Sequence, residues 1–321
     1  MMAKINFQSR RNFIRNSILA GSIPFIPTEL WAASAFNSKA VKPLKVYIFS
    51  KHLQFLNYKD MADAAAEIGF DGVDLTVRPK GHVLPERVEH DLPAAIEAIS
   101  KAGFSQTILT TAVQDANSSV DRKILETAAA LGIKYYRMNW LRYQEGKSIP
   151  ESISQFKDTL ADLSTLNKQL GLTGCYQNHS GNYAGASIWE LWEMLKNTDK
   201  QHMGVQYDVR HAIVEGALSW VNGFRLIQPQ IKFLAVKDFV WTKSNGKWDV
   251  QNVPLGEGMI DYKTYFSLLK KYNMEVPVSL HFEYPVGGAE HGASQISIDK
   301  KNIFAAMRRD LQKLHRLWEE A

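Results

Sequence analysis

The apolar positions of the chain alternate between two periods. Met61, Ala64, Ala65 and Ile68, then Leu92, Ala95, Ile96 and Ile99, then Ile153, Phe156, Leu160 and Leu163 recur three or four apart and predict amphipathic helices. Among them lie short runs, apolar almost throughout, as parallel strands covered on both faces are: residues 46–50, 72–77, 106–112, 134–140, 172–179, 203–208, 231–238 and 277–284. The segments EIGFDGVDLTV, KAGFSQTILTTA, ALGIKYYRMNW and QLGLTGCYQNH share one order: helix end, glycine, strand. Glycine closes a helix cheaply because it accepts the left-handed conformation. A last helical pattern, Ile303, Met307, Leu311, Leu314 and Trp318, runs toward the C-terminus. Eight strand–helix units predict an α/β fold, a single closed (β/α)8 barrel with a parallel eight-stranded core. An open doubly wound sheet is disfavoured, since no dinucleotide-type glycine fingerprint follows the first strand.

With 321 residues, 45% hydrophobic and 22% charged, the chain can bury one large core. The first 35 residues stand apart. Ser9-Arg10-Arg11-Asn12-Phe13-Ile14-Arg15 is similar to a twin-arginine export signal, an uncharged run from Ser17 to Pro27 follows, and Ala33-Ser34-Ala35 offers a signal-peptidase site. The expectation is cleavage after Ala35, a mature barrel over 36–321, and a periplasmic location. Removing Lys4, Arg10, Arg11, Arg15 and Glu29 lowers the formal charge from +5 to +2, so the basic balance belongs largely to the signal and implies no nucleic-acid partner. The apolar run is too short to span a bilayer, and no membrane contact is expected after cleavage. The single cysteine, Cys175, excludes an intrachain disulfide and reads as a small filler inside the fifth strand.

In a barrel of this kind the chemistry gathers at the C-terminal ends of the strands. The fifth strand ends Gln177-Asn178-His179, the sixth Gln206-Tyr207-Asp208, the seventh Ala235-Val236-Lys237-Asp238 and the eighth His281-Phe282-Glu283. Side chains two apart share a face, so Gln177 with His179, Gln206 with Asp208, Ala235 with Lys237 and His281 with Glu283 can converge on the lumen. So many ionisable groups are costly to bury unless they pair with one another, a ligand or a metal. The earlier strands add Ser50, Lys51, His52, Arg78, His82, Thr110, Thr111, Arg137, Asn139, Trp140, Arg142 and Tyr143 at the same rim, and Trp241 follows the seventh. Aromatics with arginines and amides suit a polyhydroxylated ring. His90, His202 and His315 read as solvated, and Glu290 and His291 lie on a glycine-rich loop suited either to cover the site or to form a surface turn.

These strand ends resemble the xylose isomerase-like TIM barrels, a superfamily of sugar isomerases, epimerases and inosose dehydratases that includes the apurinic endonucleases. EIGFDGVDL, YQNHSG, YDVRH, VKD, PLGEGMIDY and HFEYP carry the resemblance, GFDGVDL and GEGMIDY most specifically. In the sugar-isomerising members the pattern implies a divalent ion held by a Glu ending the fifth strand, an Asp ending the sixth, a His in the seventh and a Glu in the eighth. Here Gln177 and Ala235 stand at the first and third of those positions, and His281 or Glu283 at the fourth. Asp208 carries over directly, and His211 matches the histidine of Asp-x-x-His that meets substrate. The metal positions implied are therefore Asp208, Gln177 and His281, with Mn, Co, Zn or Mg compatible and binding weakened by the lost charge at Gln177.

The expected activity is that of a carbohydrate-active isomerase or epimerase that removes a proton next to a sugar carbonyl, on keto-sugars or glycoside-derived substrates and including β-elimination. Glu283 is the expected base, His281 or His179 the partner acid, and Lys237 or a metal on Asp208 the stabiliser of the enediolate oxygen. His211, Arg78, Arg137, Asn139, Trp140, His52 and Trp241 are the expected substrate contacts. The alternative is a non-catalytic periplasmic carbohydrate-binding barrel with a degenerate metal site. An apurinic endonuclease would need more His and Glu ligands than these strand ends supply, and an oligomer remains compatible with the sequence.

Overall fold

The computed structural model describes residues 42–321; the expected export signal and its cleavage point at Ala35 lie outside the described residues. Ten strands follow in chain order: β1 (Val46–Phe49), β2 (Gly72–Val77), β3 (Thr107–Thr111), β4 (Tyr135–Arg137), β5 (Thr173–Gln177), β6 (Met203–Asp208), β7 (Ile231–Val236), β8 (Asp238–Ser244), β9 (Lys247–Val253) and β10 (Val278–Leu280). Eight of them close a parallel barrel in the order β1-β10-β7-β6-β5-β4-β3-β2, as the eight apolar runs predict. The helices are α1 (Tyr58–Ile68), α2 (Val88–Lys101), α3 (Ser119–Ala130), α4 (Ile149–Leu170), α5 (Ile188–Met194), α6 (Val209–Gly216), α7 (Trp220–Ile227), α8 (Tyr262–Lys271) and α9 (Lys300–Glu319).

Their apolar stripes face the barrel. Met61, Ala64, Ala65 and Ile68 of α1 are buried, as are Ile303, Met307, Leu311, Leu314 and Trp318 of α9. Sequence signals set the helix ends: Ser148 and Glu151 form a reciprocal capping box at the start of α4, and Gly171 ends it at φ 70°. Inside the barrel, Tyr47 of β1, Ile108 of β3, Cys175 of β5 and Phe233 of β7 pack as one buried cluster. Four side chains from alternate strands make one layer of such a core. A Cβ on Gly72 would stand 2.4 Å from the Tyr47 ring, so only glycine fits beside this layer. That orientation also turns Asp74, two residues on, toward the lumen.

The barrel strands are shorter than their apolar runs. Pairing stops at Gln177, Val236 and Leu280, where runs to 179, 238 and 284 were expected. Beyond those points the chain carries the polar residues of the site in extended loop. The largest departure is β8 and β9, an antiparallel hairpin pairing Asp238 with Val253 through Ser244 with Lys247. It stands between β7 and α8, in a stretch where the sequence pattern marked no strand. Among the described residues, no helix is long and apolar enough to cross a membrane.

Candidate active site at the strand ends

Asp208 ends β6 and does two things at once. Its Oδ1 accepts the His211 backbone N–H at 3.1 Å and so caps α6. Its Oδ2 faces the lumen, where it accepts from Gln177 Nε2 at 2.9 Å and lies 3.3 Å from Lys237 Nζ. Asn178 ties the ends of β5 and β6 together, accepting from the Asp208 N–H at 2.8 Å and donating to its carbonyl at 2.9 Å.

Lys237 is the centre of the cluster. Its ammonium lies between Asp208 and Glu283, 3.2 Å from Glu283 Oε2, and is buried. Lys51, just beyond β1, reaches Glu283 Oε1 at 3.5 Å. Burial alone would raise the Glu283 carboxyl, but Lys237 and Lys51 outweigh it and hold the group well below the usual carboxylate range. Burial lowers the Lys51 amine in spite of the carboxylate beside it. Arg137 donates to Gln177 Oε1 at 2.8 Å and stacks over Trp140 at 4.4 Å; burial pulls its guanidinium down to about 9, still cationic at neutral pH. Arg78 lies over the Phe49 ring at 5.5 Å, next in the same band of cations.

A turn motif holds Lys237 in place. The next residue, Asp238, accepts backbone N–H groups from Phe239, Gly256 and Gly258 at 2.8, 2.9 and 3.1 Å, gathering the GEGMIDY segment beneath the site. A Cβ on Gly258 would fall 2.0 Å from Asp238 Oδ1, so this glycine answers to close approach. Tyr262 donates to the Lys237 carbonyl at 3.0 Å.

Three histidines complete the cluster. Ser279 donates to Asp74 at 2.6 Å and Thr110 donates to its other oxygen at 2.8 Å, so the buried Asp74 accepts from both. With its proton given to Asp74, the Ser279 hydroxyl accepts from His281 Nε2 at 3.2 Å. His281 Nδ1 is then left without a hydrogen, 3.6 Å from Glu283 Oε1. Burial lowers the His281 imidazole to about 4 and keeps it neutral. On the other side, Arg210 donates to His211 Nδ1 at 2.9 Å, which leaves the proton on Nε2, 3.5 Å from Asp208 Oδ2. His179 donates Nδ1–H to the Ser180 carbonyl at 2.9 Å and keeps a bare Nε2; burial lowers it to about 4. Its ring sits 3.9 Å from His211 and 4.6 Å from Trp140.

Of the residues singled out in the sequence, Glu283, Lys237, His281, His179, His211, Asp208, Gln177, Arg137, Arg78 and Trp140 thus fall in one connected cluster. Asn139 follows β4 half-buried, its N–H held by the Val113 carbonyl at 2.9 Å. Two positions lie apart. His52 is buried with both ring nitrogens occupied, by the Ala289 carbonyl at 3.1 Å and the Phe282 N–H at 3.0 Å, so it has no nitrogen free for a substrate. Trp241 stands on the hairpin, 40% exposed. The loop with Glu290 is pinned, since Glu290 accepts from Val286 and Gly288, and Gln54 donates to the Gly292 carbonyl at 3.2 Å. Lys51, expected at the rim after strand 1 but not as a substrate contact, joins the site, and Asp74, Ser279 and Arg210 enter it without having been singled out.

The donor set does not fit a divalent ion as it is arranged. Both Asp208 oxygens and both Glu283 oxygens face N–H donors or cations, Gln177 turns its amide nitrogen toward Asp208, and Ala235 brings no ligand atom to β7. Among the described residues, no group of three His, Cys, Asp or Glu side chains is placed to hold a metal. The positive charge between the carboxylates is Lys237.

A family model described as xylose isomerase-like TIM barrel matches residues 62–300. Among solved structures, the apo 3-keto-D-glucoside 4-epimerase of E. coli is similar at 13% identity and TM-score 0.64, covering 85% of this chain and 99% of that one. A probable 3-DHS dehydratase of Bacillus anthracis, involved in petrobactin synthesis, is similar at 15% and 0.59, covering 84% and 99%. The IOLI protein with a bound zinc atom is similar at 17% and 0.66, covering 86% and 99%. At these identities the likeness is one of fold. A search of the curated proteins finds no match.

Proposed function

This chain belongs to the xylose isomerase-like TIM barrel family, and from that premise we propose that it is a carbohydrate-active isomerase or epimerase that removes a proton next to the carbonyl of a keto-sugar. The observation that carries the reading is the bridge of Lys237 between Asp208 and Glu283, 3.3 and 3.2 Å away. A carboxylate base beside a buried ammonium is what enolisation needs, one group to take the proton and one to hold the oxygen that gains charge.

Glu283 takes the proton from the carbon next to the carbonyl. The carbonyl oxygen, now an enediolate, is held by Lys237 with Arg137 nearby. As Glu283 becomes neutral its new O–H turns to His281 Nδ1, whose lone pair is free because Nε2–H is committed to Ser279. His179 and His211, both neutral and next to each other, form a second station for moving a proton. Return of the proton at another face or carbon gives epimerisation or isomerisation; departure of a substituent from the β-carbon gives elimination. The structural neighbours, a 3-keto-D-glucoside 4-epimerase and a probable 3-DHS dehydratase, support this pair of outcomes.

In this proposal the fixed cation is an amine, so a divalent ion of the Mn, Co, Zn or Mg kind is not required. Export by the twin-arginine route, cleavage after Ala35 and a periplasmic barrel over 36–321 belong to the same proposal and rest on residues 9–35. The mass of the exported protein tests them; it should begin at Phe36.

Proton magnetic resonance in D2O tests the activity. A keto-glucoside should acquire deuterium next to its carbonyl with the native protein and not with Glu283→Gln. The second reading, a sugar-binding barrel without chemistry, draws on Gln177 and Ala235 and expects binding with no exchange.

A further inference from the structure

We propose that the cavity beside Tyr183 is a subsite for a second sugar ring, so that the substrate is a glycoside of at least two rings with the oxidised ring over Lys237. The proposal rests on the keto-sugar reading above. The cavity has a volume of about 580 Å3 and is lined by Arg142, Tyr143, Asn182, Tyr183, Glu190 and Glu215, among others. That volume is within the roughly 300–1,000 Å3 of small-molecule sites.

Its position continues the candidate site. The Tyr183 ring is 4.8 Å from His179 and 5.2 Å from Trp140, and His179 lies against His211 beside Asp208. A ligand seated over Lys237 and extended past His179 enters the cavity along Tyr183. The loop that forms this wall is braced, because Glu215 of α6 accepts the Gly181 N–H at 2.8 Å.

The lining chooses the ligand class. Arg142 stacks over Tyr183 at 4.4 Å and donates to its hydroxyl at 3.0 Å, making a flat, partly polar platform for the apolar face of a ring. Glu190 accepts from Tyr143 and Gly185, and Glu215 from Gly181, which leaves acceptor sites on both carboxylates for hydroxyl groups. Two carboxylates against one guanidinium disfavour a phosphate or other anion. A neutral polyhydroxylated ring satisfies the set.

The test compares the C3-oxidised forms of cellobiose and maltose with that of methyl β-D-glucoside, read as solvent deuterium uptake by native protein and by Arg142→Ala. At least one disaccharide should exceed the methyl glycoside by about tenfold in kcat/KM, and Arg142→Ala should remove that advantage, the size expected of one lost stacking and hydrogen-bonding platform. Equal kcat/KM for all three on native protein would overturn the subsite and leave the keto-sugar reading standing. No uptake with any of them would overturn that reading and the subsite with it. Should Arg142→Ala fail to fold, the comparison on native protein decides alone.

Discussion

Glu283 Oε2 lies 3.2 Å from the ammonium of Lys237, whose far neighbour is Asp208 Oδ2 at 3.3 Å. The two carboxylates would repel each other in a buried site, and the lysine stands between them. Replacing it should therefore expose the cost of that arrangement. Lys237→Met, nearly the same length without charge, leaves Asp208 and Glu283 facing one another and should destabilise the fold by about 3–5 kcal/mol, the range for removing one member of a buried ion pair. Chemical denaturation measures it; a change near zero would mean that the two carboxylates do not depend on Lys237.

His281, buried, and His82, partly buried, set a direction for pH. Burial lowers His281 and His82 to about 4 from the ordinary 6.5. Between those values the unfolded chain binds protons that the folded one refuses, so stability is complete above about pH 6.5 and falls as pH drops toward 4. Glu283, held below its usual range, adds loss in the same direction at lower pH. Thermal melts from pH 8 to pH 4 should show this fall, and His281→Gln should flatten part of it. A melting temperature that rises toward pH 4 would contradict the assignment of neutral histidines.

Asp74 acts through Ser279 on His281 rather than on any substrate. Asp74→Asn can donate as well as accept, so Ser279 is no longer obliged to give its proton away and His281 loses its fixed tautomer. The expected result is a fall in kcat of about tenfold or more with KM nearly constant, as when an outer group stops orienting a histidine. A change confined to KM would show that Asp74 shapes binding instead.

Asp238 gathers the GEGMIDY turn through backbone N–H groups and so holds Lys237 from the adjacent position. Asp238→Ala leaves those donors without their acceptor and should cost about 2–4 kcal/mol, the scale of losing charge-assisted hydrogen bonds. Guanidinium unfolding of the variant checks it.

Much of this was legible in the sequence, and for physical reasons. Strands buried on both faces leave unbroken apolar runs, so all eight barrel strands could be marked, and the alternation rule put His281 with Glu283 on one face and turned Lys237 and Asp208 toward the lumen. The hairpin of β8 and β9 was missed although Asn245-Gly246 between VWTK and KWDV is a strong two-residue turn signal; both residues take positive φ, 49° and 78°. Of Lys51 and His52 at the end of strand 1, His52 was the expected contact, yet alternation pairs Phe49 with Lys51 and it is Lys51 that reaches Glu283. Asp74 was hidden inside a motif read for its resemblance, since nothing in GFDGVDL alone reveals that Thr110 and Ser279 arrive from two other strands. That Lys237 occupies the place between the carboxylates depends on three strand ends meeting, which no single segment encodes.

In the proposed reaction the positive charge between Asp208 and Glu283 comes from the amine of Lys237 in place of a divalent ion. The most direct measurement is deuterium uptake by a keto-glucoside after exhaustive dialysis against a chelator, with metal content followed by elemental analysis. Uptake should be unchanged in protein holding far less than one metal per chain and lost in Glu283→Gln. Uptake that disappears on dialysis and returns with added Mn, Co, Zn or Mg would contradict it.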